Sequence, residues 1–191
     1  MSAAADGPAP IAVIGLGNVL LGDDGFGPFV IALLHAGWDF PASVELIDAG
    51  TPGLGLVSYF QDRELALIVD AVAASGEPGE LRLYRSADLQ KLPLQPRVSP
   101  HDPAVQETLG IAELSGHGPR AVLLLGAIPT STEPGIGLSA PMRSAATLAV
   151  ELVLRELSHR GIDVLPRSVT RPLDAWWHSG TATVSAPVRE L

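Results

Sequence analysis

Ile11-Ala12-Val13-Ile14-Gly15-Leu16-Gly17-Asn18-Val19-Leu20-Leu21-Gly22-Asp23-Asp24-Gly25-Phe26-Gly27 is the stretch on which the fold turns. Its first four residues are apolar and bounded by Pro10 and Gly15, the appearance of a buried parallel strand. A glycine-rich turn with an acidic pair follows. Beyond Gly27, the apolar residues Phe29, Val30, Leu33 and Leu34 recur at helical spacing up to Gly37, which suits a helix stop. The stretch therefore reads as strand, loop, helix.

Working outward, the same alternation continues. Residues 44–47 read as a second strand ending at Asp48, and residues 54–60 as a short helix entered through Thr51 and Pro52. Residues 65–69 form a third strand ending at Asp70. Residues 81–84 alternate apolar and polar, which predicts an edge strand half open to solvent, with antiparallel pairing as an option. A proline-rich connection over residues 92–103 carries His101. Residues 104–114 suit a helix, 121–125 the most apolar strand, and 141–157 a long amphipathic helix with Pro141 in its first turn. Strands alternating with helices predict an α/β fold: a single three-layer, doubly wound domain, with a mostly parallel central sheet of about five strands and helices on both faces. The expected division is a flexible N-terminus over residues 1–10, an α/β domain over 11–166, and a C-terminal tail of uncertain order over 167–191. In that tail Trp176 and Trp177 read as capping the core, with docking of a partner as the alternative.

Composition narrows the function classes. A chain of 191 residues suits one domain with one substantial core. A net charge of −9 with only 12 Lys and Arg, never clustered, argues against nucleic acid as a partner. With no cysteine, thiolate metal sites, iron-sulfur ligation and cysteine nucleophiles are excluded, so any nucleophile is oxygen-based. No apolar run reaches the ~18 residues of a membrane span, and the N-terminus lacks the positive start of a signal peptide. The expectation is a soluble cytoplasmic protein with no membrane partner.

In doubly wound sheets, ligands bind in the crevice at the carboxyl ends of the strands. Asp23 and Asp24 follow the first strand, Asp48 ends the second, Asp70 ends the third, and His101 lies in the loop after the edge strand. Buried carboxylates are costly unless paired or bound to metal, so this concentration calls for a reason. A dinucleotide site is a poor one: Leu20 stands where G-x-G-x-x-G needs its third glycine, and the acidic pair would repel a pyrophosphate. A G-x-S-x-G elbow and an H-E-x-x-H helix are also missing. Carboxylates with one imidazole can hold a divalent metal with open positions, or orient a water against a peptide carbonyl. Each residue also has a plainer role. Asp24 suits the N-terminus of the following helix, where Asp23 is the better candidate for the cap. Asp48 suits a turn-shaping acid and Asn18 a loop-shaping amide, able also to donate to a substrate carbonyl. His35, His117, His159 and His178 read as surface residues.

The run from Gly15 to Gly27 resembles the opening motif of the nickel-iron hydrogenase maturation endopeptidases, G-x-G-N-x-x-x-x-D-[DE]-G-x-G. Asp48-Ala49-Gly50-Thr51 is similar to the D-G-G-T turn of that family, with Ala49 replacing its middle glycine. Leu67-Ile68-Val69-Asp70-Ala71 is similar to its second acidic strand end, and Ser99-Pro100-His101 to its histidine loop. Gly126 to Pro129 and Glu133-Pro134-Gly135-Ile136-Gly137-Leu138-Ser139 resemble its last strand and loop. The resemblance implies a peptidase that removes the C-terminal extension from the precursor of a hydrogenase large subunit after nickel insertion. It implies Asp24, Asp70 and His101 as catalytic and nickel-sensing residues, with Asn18, Asp23, Asp48, Gly50 and Thr51 on the substrate side. It further implies no permanent cofactor: nickel arrives with the substrate, although Ni, Zn or Cd could occupy the site in isolation. A non-cleaving checkpoint chaperone that binds the nickel-loaded precursor would use the same residues and is the alternative reading.

Overall fold

Residues 11–16 are buried without interruption, and they form the strand β1, Ile11–Leu16, near the middle of the sheet in a computed structural model that describes residues 8–89, 105–175 and 177. Further strands are β2 (Trp38–Asp39), β3 (Val44–Gly50), β4 (Leu65–Ala71), β5 (Leu81–Arg85), β6 (Ala121–Ala127) and β7 (Leu165–Pro166). The helices are α1 (Phe26–Gly37), α2 (Leu56–Phe60), α3 (Ser86–Leu89), α4 (Val105–Leu114) and α5 (Ala140–Ser158). Short 3-10 turns at Gly22–Gly25 and Gly53–Gly55 precede α1 and α2.

The main sheet has five strands in the order β3-β1-β4-β6-β5. All pairings are parallel except β5 with β6, so the antiparallel edge strand expected from alternation is present. Alternate residues of each central strand serve different layers. Val13, Leu67, Val69, Leu123 and Leu125 pack with α1 and α5, whereas Ala12, Ile14, Ile68 and Leu124 pack with Leu56 and Phe60 of α2 and Leu109 of α4. That two-sided burial is why these strands read as continuous apolar runs. After β1 the chain turns to β3 on one side, then crosses to β4 on the other. The sheet therefore has its topological switch point between β1 and β4, and the carboxyl ends of those strands are where such folds bind ligands.

Beyond Pro166, where the sequence shows no periodicity, the chain still has defined partners. β7 pairs antiparallel with β2, the backbone N–H of Arg167 donates to Gly37 O and that of Arg171 to Ala36 O at 2.9 and 3.0 Å, and Arg167 meets Asp39 at 2.5 Å. Residues 167–171 thus lie against the C-terminal end of α1. Trp177 is buried, while Trp176, His101 and residues 1–7 fall outside the described residues.

Candidate active site at the carboxyl ends of the strands

The loop after β1 is held by close backbone approach. Gly17 has φ of +133°, and any side chain there would collide with the Asp24 carbonyl. Gly27, in the first turn of α1, has no room for a methyl group either, because the Leu16 and Val69 carbonyl oxygens lie against it. Glycine at these two positions lets the loop fold back on itself and lets α1 rest on the ends of both β1 and β4.

The same contacts set Asp24 in place. It sits in the 3-10 turn Gly22–Gly25, only 4% exposed, and its Oδ2 accepts a hydrogen bond from the Asn18 N–H at 2.8 Å. This turn packs against β4, whose half-buried Asp70 lies opposite Gly126 of β6. The fold therefore brings the Asp24 turn and Asp70 to the same end of the two strands that flank the switch point. His101, the third expected member, lies outside the described residues. Among the described residues no three His, Asp or Glu side chains are grouped so as to hold a metal ion.

Asp23 behaves differently from its neighbour and from the helix cap expected of it. No side chain caps the N-terminus of α1. Instead the carboxylate of Asp23, 2% exposed, turns to the loop after β6: Oδ2 accepts from the N–H groups of Thr130 at 2.8 Å and Ser131 at 3.3 Å, and Oδ1 from Ser139 at 2.6 Å. Ser139 is the N-cap of α5, so the acid also lies where that helix's dipole favours negative charge. The helix start that this carboxylate serves is therefore more than a hundred residues away in the chain.

The remaining candidates flank this centre. Asp48, exposed on β3 opposite Gly15, accepts from the Gly50 N–H through Oδ1 at 3.1 Å, closing its own turn. Gly50, with φ of +55°, offers its carbonyl to the Gly17 N–H at 2.9 Å and so joins the Asp48 turn to the Asp24 loop. Asn18 uses Oδ1 to accept from the Leu20 N–H at 3.0 Å, and Thr51 is exposed at the rim. On its outer side Asp48 borders a cavity of about 420 Å³ between Ile31 and His35 of α1 and Arg171 and Trp177. The His35 imidazole has its pKa lowered, first by burial and then by the Arg167 and Arg171 guanidinium groups, with Asp174 and the Leu46 backbone acting in the opposite sense. His117 lies on the surface, as expected, and meets Asp62 there at 3.0 Å.

The partnership of Asp23 with the loop at 130–139 had no counterpart in the sequence reading. Its acceptor sites are filled by backbone amides, which carry no residue-type signal.

An α/β domain that sets the Asp24 turn and Asp70 at the carboxyl ends of β1 and β4 belongs to the doubly wound class, whose chemistry sits at that end of the sheet. Comparison with known proteins narrows this class. Residues 28–156 match the HycI hydrogenase maturation protease family. The chain is 33% identical to the hydrogenase expression/formation protein HupD of Rhizobium leguminosarum, over 84% of this chain and 80% of that one. It is 32% identical to the hydrogenase 2 maturation protease of Escherichia coli, over 82% of this chain and 96% of that one. The solved structure of the hydrogenase maturating endopeptidase HybD from Escherichia coli superposes with a TM-score of 0.77 at 33% identity, covering 83% of this chain and 98% of that one. The chain belongs to the hydrogenase maturation protease family, endopeptidases that process the hydrogenase large-subunit precursor. Membership favours cutting over the non-cleaving checkpoint.

Proposed function

We propose that this endopeptidase removes the C-terminal extension of a nickel-iron hydrogenase large-subunit precursor once nickel has been inserted, with Asp24, Asp70 and His101 meeting the nickel that the precursor carries. The observation that supports this reading most directly is the Asp24 turn. A buried carboxylate, oriented by the Asn18 amide, is pressed against the end of β4 that bears Asp70.

Oxygen ligands with an imidazole suit a divalent ion of nickel's hardness, and an incomplete set leaves positions for the precursor's own ligands. The nickel is therefore substrate, and the chain's carboxylates report whether it has arrived. Engagement of a loaded precursor fixes the neighbouring peptide bond beside the site, which lowers the entropic part of the barrier to attack by water. A carboxylate at Asp24 or Asp70 is suited to take the proton of that water, and the metal to polarise the scissile carbonyl. In this arrangement Asp48, Gly50 and Thr51 shape the rim on the β3 side, Asn18 orients Asp24, and Asp23 serves the loop instead of touching substrate.

The test is intact-mass spectrometry of a large-subunit precursor from the same genome, incubated with the protein before and after nickel loading. Loss of a C-terminal peptide from the loaded form alone is the expected result. Equal cleavage of both forms would remove nickel sensing from the proposal.

A further inference from the structure

The loops after β1 and β6 are stitched together from both directions. The Gly22 N–H donates to Gly135 O at 2.9 Å, the Gly135 N–H to Leu20 O at 2.9 Å, and the Asp23 N–H to Ser131 O at 3.2 Å. The buried Asp23 carboxylate then binds amides at both ends of the second loop. Such a pair has little freedom left to lose. Yet it holds two large aliphatic side chains in water: Leu20 is 52% exposed and Ile136 is 63% exposed, and they are neighbours because Gly135 bonds to the Leu20 carbonyl. A third, Leu54, 64% exposed, stands on the 3-10 turn after β3 at the same end of the sheet.

We infer that Leu20 and Ile136, with Leu54 on the far side of the β1 loop, form a docking surface for an apolar stretch of the precursor polypeptide next to its scissile bond. This rests on the reading of Asp24 and Asp70 as the reaction site. Continuity with the proposed site argues for this occupant. The Leu20 N–H bonds to the Asn18 side chain and the Asn18 N–H holds the Asp24 carboxylate, so this surface adjoins Asp24 and is within reach of a polypeptide that presents its bond there. Charge agrees, since residues 15–22 carry no charged side chain and residues 128–139 carry only Glu133. The surface therefore selects by apolar contact, with the ordering cost on the protease side already met by the stitched loops.

The experiment is steady-state processing of the nickel-loaded precursor by Leu20→Ser, Ile136→Ser and the double variant. Leu114→Ser, at a 91% exposed position on the far end of α4, serves as the control. The double variant is expected to raise KM about tenfold with kcat within about twofold, and the control to change neither. An unchanged KM in the double variant, or a fall in kcat alone, overturns the inference. Sedimentation of wild type and double variant reads out the other occupant: a dimer that becomes monomeric at unchanged KM assigns the surface to a second copy and also overturns it. Asp24→Asn, assayed alongside, tests the site separately, because full activity there removes the reaction site whatever the KM of the apolar variants.

Discussion

Two adjacent aspartates show how much one position along a chain decides. Asp23 and Asp24 are both nearly fully buried, yet one carboxylate serves the loop at 130–139 and the other accepts from the Asn18 N–H of the loop after β1. Asp23→Ala should leave three backbone amides without their acceptor and cost about 3 kcal/mol, lowering Tm by about 10 °C in thermal unfolding followed by circular dichroism. Asp24→Asn keeps the side chain's shape and should lower processing at least about 100-fold in the precursor mass assay, with a far smaller Tm change. If Asp24→Asn processes at the wild-type rate, Asp24 is not in the chemistry. The sequence made the acidic pair conspicuous but gave Asp23 the cap of the wrong helix. Its partners are main-chain groups contributed by a loop that only the folded sheet brings near. Asp48 was legible for the opposite reason: its hydrogen bond is to Gly50, two residues away, and such local bonding is written in the residue type.

At the scale of elements, the parallel strands were readable because burial on both faces forces unbroken apolar runs, and β5 because one open face restores alternation. The pairing of β2 with β7 was not readable. Each has two residues, too few for any period, and Pro166 argues against a strand unless it lies at an edge, as it does here. What fixes α1 to the sheet is a glycine. A methyl at Gly27 would press on carbonyl oxygens of both β1 and β4, so Gly27→Ala should cost at least about 3 kcal/mol and displace the Asp24 turn from β4. Gly37→Ala, at the other end of the same helix, has nothing within 4 Å and should be neutral or stabilising by about 0.5 kcal/mol. Urea unfolding of the two variants measures the contrast. Equal midpoints would mean that α1 tolerates the shift and that close approach at Gly27 does not position the site.

For the whole molecule, the two faces of the sheet divide the work. The α1 and α5 side anchors the Asp24 turn and the loop at 130–139, and it also receives Arg167, Arg171, Leu173 and Trp177. That last segment places two guanidinium groups near His35 at the end of α1. In the folded state partial burial of the imidazole, then Arg167 and Arg171, hold its pKa below the ordinary 6.5 against the opposing pull of Asp174 and Leu46. Between the folded and unfolded pKa values the unfolded chain binds more protons, so stability rises with pH there. The contribution is fully present above the unfolded value and is lost as pH falls through the folded one. Thermal unfolding between about pH 7.5 and 5.5, above most carboxylate titration, should therefore show Tm falling with acidification. His35→Gln should flatten that slope by removing the titrating group. The segment at 167–171 should be the part that loosens, read as faster amide hydrogen exchange at Arg167 and Arg171, whose N–H groups bond to Gly37 and Ala36. An identical slope in wild type and His35→Gln would place the acid sensitivity elsewhere, and uniform exchange across both variants would separate that segment from the proton at His35.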